Sequence, residues 1–312
     1  MDTKTVKILY LGTPDISAFV LEALIHAGYN IIGIISQEDK ETDRKGNIIP
    51  TATKQIGLKH NIKVYQFDKI RLHVEEVKAI APELILTMAY GQIVPQAILD
   101  IPKYGCINLH GSILPKYRGA APIQAAILNG ETRTGFTLMQ MIDKMDAGLM
   151  YATKEVTIEN EDNYSTLLDK MKICARDLIL ETLDSYLLGK LTGTPQDETK
   201  VSFANKIKKE DEKISIDLSA INIINKVRAL AEEPGAHLIL DNEIIKIYKV
   251  HLFSDEAKHS IGEIIEADKK GLLFQAKDGV IAIDILQKQQ KKKMTYLDFV
   301  NGCHGLVGKI FE

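Results

Sequence analysis

At 312 residues and 34.8 kDa the chain is about twice the usual size of one domain, which makes two domains the expectation. Its 45% hydrophobic and 26% charged residues exclude a disordered or collagen-like chain, and no apolar run approaches the roughly 18 residues of a membrane span. With 39 basic against 42 acidic residues it is no bulk nucleic-acid magnet, so any RNA has to be met by local patches.

The first 190 residues alternate short apolar runs with helical patterns, the signature of a parallel sheet with crossover helices. Residues 7–11 read as a buried opening strand, too brief an apolar run for a signal-peptide core. Thr13 is placed to cap the next helix, Pro14 suits its first turn and Gly28 ends it. Gly12-Thr13-Pro14 is not GxGxxG, so a dinucleotide site has little support despite the Rossmann-like opening. A second strand covers 31–35, and the polar stretch 37–47 (QEDKETDRKGN) reads as an exposed loop. Further strands are expected at 64–67, 84–89, 106–110 and 134–141, and one long amphipathic helix at 163–188, closed by Gly189.

Composition changes at 189–205 (GKLTGTPQDETKVSFAN), where Gly, Thr, Pro and Gln gather without periodicity. The expected division is a catalytic domain over 1–189, a linker over 190–205 and a second domain over 206–312. In the second domain, period-2 runs at 236–240, 244–250, 262–266, 272–276 and 280–286 are separated by turn signals such as Asp241-Asn242 and Asp278-Gly279. With a helix near 219–231 they predict a small OB-like β-barrel. Cys106, Cys174 and Cys303 are odd in number and far apart, and no CxxC pair or His cluster has metal-ligand spacing. No disulfide framework and no structural metal are expected, and a soluble cytoplasmic protein is.

The segment 105–124, GCINLHGSILPKYRGAAPIQ, is the informative one, although its Asn–His pair taken alone is equally a half-buried pair satisfied by hydrogen bonds. Asn108 and His110 are two apart in a strand-like run and leave the same face, at the carboxyl end where open α/β sheets place ligands. Asp146 follows in D-K-M-D-A-G, a turn-like loop after the 134–141 strand.

The run N-L-H-G-S-I-L-P-K-Y-R-G with a later D-A-G resembles the signature of formyltransferases that use 10-formyltetrahydrofolate. A-A-P-I-Q, Gly12-Thr13-Pro14, Ala89-Tyr90-Gly91-Gln92-Ile93, Lys226-Val227-Arg228-Ala229-Leu230, Pro234-Gly235-Ala236 and Asp298-Phe299-Val300-Asn301-Gly302 extend the likeness over essentially the whole chain. They point to the branch of the family that formylates methionyl-tRNA. The resemblance implies Asn108, His110 and Asp146 as catalytic residues, and Ser112, Ile113, Leu114 and Pro115 along the folate, with Tyr90 and Gln92 of the preceding loop adding to that pocket.

The residue types suit the reaction. A primary amine attacks the formyl carbon and charge develops on the formyl oxygen, to which a neutral carboxamide can donate without ionising. Histidine is the residue type that ordinarily titrates near neutrality and can accept a proton. A carboxylate beside it favours the imidazolium and orients the ring.

The resemblance also implies that the loop after the second strand reaches the tRNA acceptor stem, through Arg44 and Lys45. That stretch carries Glu38, Asp39, Glu41 and Asp43 as well, so on charge alone it is a solvated surface loop. The run 288–293, KQQKKK, is either a solvated face or, through Lys291, Lys292 and Lys293, a phosphate contact on the barrel. The partners implied are initiator methionyl-tRNA and folate, for a monomer without metal or membrane. Rival readings are a sugar-nucleotide formyltransferase, a folate-dependent hydrolase and a non-catalytic RNA-binding protein on the same scaffold.

Overall fold

A computed structural model describes residues 2–43 and 45–312. Two compact units make up the chain. The first comprises Met1–Pro122, Arg133–Thr157 and Leu168–Ala204, the second Ile123–Thr132, Ile158–Leu167 and Asn205–Glu312.

Up to Ala204 the elements are β1 (Ile8–Gly12), α1 (Asp15–His26), β2 (Ile31–Ser36), β3 (Glu41–Thr42), β4 (Ile48–Ile49), α2 (Ala52–Lys59), β5 (Val64–Gln66), α3 (Val74–Ile80) and β6 (Leu84–Met88), then α4 (Gln96–Leu99), β7 (Cys106–His110), β8 (Arg118–Gly119), α5 (Pro122–Leu128), β9 (Arg133–Gln140), β10 (Met150–Thr157), α6 (Tyr164–Leu187) and β11 (Phe203–Ala204). Seven of the strands form one sheet in the order β10-β9-β7-β6-β1-β2-β5. β5, β2, β1, β6 and β7 are parallel, and β9 and β10 add an antiparallel edge.

Every residue of β1 is buried, which is why its sequence is an unbroken apolar run rather than an alternation. Leu9 and Leu11 pack on one face with Val77 of α3 and Ile98 and Leu99 of α4. On the other face the Tyr10 hydroxyl donates to the Ser17 carbonyl of α1 at 2.9 Å.

The chain leaves β1 toward β2 on one side and returns as β6 on the other, which makes the gap between the β1 and β6 ends a topological switch point. The loops there are tied together. The Thr13 hydroxyl donates to the Tyr90 carbonyl at 3.3 Å and accepts from the Gln37 amide at 3.2 Å, and Gln37 Nε2 donates to the same carbonyl at 3.0 Å. The expected capping role of Thr13 is therefore corrected: Pro14 is the N-cap of α1 and makes no side-chain cap bond.

The polar stretch 37–47 is exposed, as its composition predicts, but it is not structureless. β3 pairs with β4 as a small antiparallel hairpin, its turn held by Asp43 Oδ1, which accepts from the Lys45 and Asn47 amides at 2.8 and 2.9 Å. Ile48 and Ile49, just beyond the polar run, supply the second strand. The base is anchored by Asp39, which pairs with Lys54 and accepts from the Thr51 amide at 3.0 Å.

The second unit adds α7 (Ala220–Leu230), β12 (Ala236–Leu240), β13 (Glu243–Ser254), β14 (Ile264–Asp268), β15 (Gly271–Gln275), β16 (Val280–Lys288), β17 (Met294–Thr295) and α8 (Tyr296–Asn301). The sheet order is β12-β13-β16-β15-β14, with β17 on β16, antiparallel throughout. Asp241 and Asn242 both have positive φ, 52° and 64°, the turn geometry that joins two twisted strands tightly. Leu238, Ile247, Phe274, Ile281, Phe299 and Phe311 form its core. Residues 308–312 run between the two outer strands. Glu312 exchanges two 2.9 Å backbone bonds with Ile239, Phe311 donates to Gly262 at 2.8 Å, and Ile264 donates to the Lys309 carbonyl at 2.8 Å. The earlier stretch Ile158–Leu167 joins this unit partly through Arg228 of α7, whose guanidinium donates to the Asp162 and Glu159 carbonyls, each at 2.7 Å. Among the described residues no helix is long and apolar enough to cross a membrane.

Candidate active site

β7 sets the site. Its register against β6 and β9 places Asn108 between Thr87 and Met139, and the two-residue repeat brings Asn108 and His110 onto one face. Asn108 is half-buried, and its carboxamide has no hydrogen-bond partner among the described residues. It is free to donate to a bound molecule.

His110 is 5% exposed. Its Nε2 lies 2.9 Å from the Tyr117 carbonyl. A carbonyl only accepts, so Nε2 carries the hydrogen and, in the neutral ring, Nδ1 holds the lone pair. Nδ1 is 3.6 Å from Asp146 Oδ2, close enough for the carboxylate to stabilise a proton arriving there. The same Oδ2 accepts from the Gly119 amide at 2.8 Å, which fixes the carboxylate. Gly119 itself has φ 120°, and a Cβ there would lie 2.5 Å from the Ala204 carbonyl oxygen, so only glycine allows β8 and β11 to approach. The structure thus brings Asn108, His110 and Asp146 together.

The 112–115 segment is a tight turn beside them. The Ser112 hydroxyl donates to the Lys116 carbonyl at 2.6 Å, and Thr137 Oγ1 both donates to the Ser112 carbonyl at 2.8 Å and accepts from the Leu114 amide at 3.2 Å. Ser112 and Leu114 are buried, whereas Ile113 and Pro115 are half-buried. Tyr90 is buried, and burial raises its phenol well above the ordinary range. Gln92 is occupied internally: its Oε1 accepts from the Ile70 amide at 2.7 Å and its Nε2 donates to the Phe67 carbonyl at 3.0 Å. Cys106 shares the strand, but burial pushes its thiol up to about 12, which keeps it a packing group rather than a nucleophile.

Arg44 lies outside the described residues. Lys45 is exposed in the β3–β4 turn. Of the lysines at 291–293, Lys293 pairs with Glu232 at 2.8 Å and sits 3.9 Å over the Tyr248 ring. Lys291 and Lys292 are exposed in the turn before β17.

The segment expected to be a plain linker holds two residues that sequence reasoning passed over. Gln196 Nε2 donates to the carbonyls of Asp146 and Gly148 at 2.8 and 2.9 Å, and Arg118 grips its Oε1. Glu198 is the ionic partner of Arg118 at 2.7 Å. No local pattern could have marked them, because each partner lies at least 48 positions away. Elsewhere, Glu22 and His26 on α1 and His60 after α2 have ligand atoms within 4.8 Å of one another, although Lys59 already pairs with Glu22 at 2.5 Å.

Residues 5–183 match the family model described as formyl transferase, and residues 206–304 match formyl transferase, C-terminal domain. The methionyl-tRNA formyltransferase of Lactobacillus gasseri is 41% identical over 297 residues, which span 95% of each chain. That of Macrococcus caseolyticus is 40% identical over 98% of this chain and 99% of its own. Among solved structures, the N-formyltransferase of Helicobacter canadensis in complex with folinic acid and dTDP-3-aminofucose superposes with a TM-score of 0.70. It is 19% identical and covers 91% of this chain and 100% of its own, a likeness of fold. The arrangement at the end of β7 and the full-length identity lead to one assignment: the chain belongs to the formyl transferase family, among the methionyl-tRNA formyltransferases.

Proposed function

We propose that this protein transfers the formyl group of 10-formyltetrahydrofolate to the α-amino group of initiator methionyl-tRNA. It does so in the cytoplasm, as a monomer and without a metal. The convergence of Asn108, His110 and Asp146 at the carboxyl end of β7 carries this reading. The full-length identity with methionyl-tRNA formyltransferases supports the choice of acceptor.

In this reading the free amine attacks the formyl carbon, and Asn108 donates its N–H to the oxygen as that oxygen gains charge. The proton lost by the attacking nitrogen passes to His110 Nδ1, directly or through a water. Asp146, held by the Gly119 amide, stabilises the resulting imidazolium. The bond from carbon to the folate nitrogen then breaks, and that nitrogen takes the proton from His110, which returns to its neutral form. The turn at Ser112, Ile113, Leu114 and Pro115 supplies an apolar wall and backbone groups for the pterin, and the Tyr90–Gln92 loop shapes the far side of the pocket. Residues 1–189 form the catalytic domain, 190–205 join it to the rest, and 206–312 form the tRNA-binding domain.

The test is direct. Purified protein is mixed with 10-formyltetrahydrofolate and initiator methionyl-tRNA, and the released methionine is weighed for the formyl increment beside a tube holding a nucleotide-linked amino sugar. Formylated methionine and an untouched sugar are expected; formylated sugar with unmodified methionine would overturn the acceptor.

The same reading fixes a pH profile and a salt dependence. An α-amino group titrates near 7.7 to 8.0, so kcat/KM should climb from about pH 6.5 through about 8 and level off only near about pH 9; a flat profile would mean that attack by the amine does not limit the rate. Arg44 and Lys45 reach the acceptor end, and Lys291 and Lys292 bind tRNA phosphate, whereas Lys293 is partly engaged by Glu232. Reversing the charge of Lys291 and Lys292 together should raise KM for tRNA several-fold and lower the slope of its salt dependence by about one for each phosphate no longer held. Unchanged values would make the run a solvated face.

A further inference from the structure

Asp146 is held in a backbone conformation that a residue with a Cβ rarely adopts, φ 51°. Asp tolerates this region better than most residues, and the loop is also tied from outside. Two contacts from the 194–204 segment make that tie. The Gln196 carboxamide donates to the carbonyls of Asp146 and of Gly148, at 2.8 and 2.9 Å. Its oxygen accepts from Arg118 Nε at 3.0 Å and Nη2 at 2.8 Å, so all of its bonding capacity toward this loop is directional and fixed. Arg118 is 1% exposed and continues to Glu198 at 2.7 Å, and Glu198 reaches Lys144, on the same loop, at 3.4 Å. The Arg118 guanidinium holds the Glu198 carboxyl below its ordinary range. A closed ring results: loop carbonyls, Gln196, Arg118, Glu198 and back to Lys144. Its anchor is the pairing of Phe203 and Ala204 with Arg118 and Gly119, and Gly119 is the residue whose amide fixes the Asp146 carboxylate.

We propose that Gln196 is a positioning residue for formyl transfer: by clamping the Asp146 and Gly148 carbonyls it holds the Asp146 carboxylate opposite His110 Nδ1, and buried Arg118 keeps the clamp oriented. The segment that joins the two domains in sequence is thereby a working part of the catalytic loop. Gln196 touches no reacting atom, so its removal acts through Asp146. The inference rests on the proposed role of Asp146, and the experiment separates the two.

The experiment is a double-mutant cycle with methionyl-tRNA and 10-formyltetrahydrofolate as substrates, comparing the unaltered protein, Gln196→Met, Asp146→Asn and the double variant. Gln196→Met keeps the length of the side chain and removes its hydrogen bonds. A carboxylate displaced by about 1 Å costs up to about 100-fold, so Gln196→Met should lose about 10- to 100-fold in kcat, with both KM values within about twofold. In the Asp146→Asn background the same change should cost less than about twofold further, because the group it positions is already gone. A loss that multiplies in the double variant would overturn the proposal, since it would assign Gln196 to general folding. Near-normal kcat in Gln196→Met beside a crippled Asp146→Asn would overturn it too. Near-normal kcat in Asp146→Asn would instead remove the role of Asp146 itself. If Gln196→Met is unstable, Gln196→Glu serves: it keeps the Arg118 contact and turns a carboxylate toward two carbonyls, so it should be at least as slow, and full activity in it would sink the idea.

Discussion

His110→Ala should slow formyl transfer by about 100- to 10,000-fold, the usual worth of a positioned general acid–base group. The ring is placed for that task by two fixed neighbours. The Tyr117 carbonyl, 2.9 Å from Nε2, commits that nitrogen to donating, which leaves Nδ1 as the one basic atom. Asp146 Oδ2 stands 3.6 Å from Nδ1, so an imidazolium formed by a proton taken from the amine would meet an opposite charge in a nearly dry setting. Alanine removes the proton acceptor and leaves a small cavity whose walls, β7 and the 116–119 turn, are held by other bonds. The measurement is single-turnover transfer at saturating folate and tRNA, with thermal melting to show that the variant folds. A loss in kcat with little change in either KM is expected, and a folded His110→Ala protein within about threefold of the unaltered rate would take the residue out of the chemistry.

Asn108→Ala should cost about 100- to 1,000-fold in kcat, the range for losing one oxyanion donor. Its carboxamide is the polar side chain on the His110 face of β7 that no described residue engages. Asn108→Asp sharpens the test: it preserves volume but offers only acceptors to a developing negative charge, so it should be no faster than alanine. Were Asn108→Asp to retain most of the rate, donation from this position could not be what stabilises the transition state.

Much of this architecture is legible in the chain. The five long strands of the second unit lie close to where the period-2 runs and the Asp241-Asn242 turn put them; β12 shows the alternation of buried and half-buried positions that such a run predicts, whereas β15 is buried throughout. The parallel strands are as plain, since burial on both faces of β1 leaves no polar position to blur the run. β17 is not legible: two residues behind a lysine run carry no period. Thr13 misleads for a different reason. Its hydroxyl has two uses, a helix cap or a tie between the loops after β1 and β6, and only the fold brings Tyr90 and Gln37 within reach. The spacing of Asn108 and His110 puts them on one face of a strand, but it is the motif around them, not the spacing, that sets them apart from an ordinary half-buried pair. Nothing sets Gln196 apart, because its partners are a loop and a buried arginine far away in sequence, and a stretch without periodicity looks like slack chain whatever it touches. The inclusion of Ile123–Thr132 and Ile158–Leu167 in the second unit is likewise a tertiary fact.

The run of residues 308–312 between β12 and β14 has a bearing on how molecules of this protein behave toward one another. An outer strand normally shows a row of unpaired amides and carbonyls on which a strand from another copy can add. Here Ile239 and Ile264, on the two outer strands, already have their bonds satisfied by Glu312, Lys309 and Gly308. Residues 308–312 act as a selvage, a woven border that leaves Ile239 and Ile264 no free backbone bond to offer a strand from another copy.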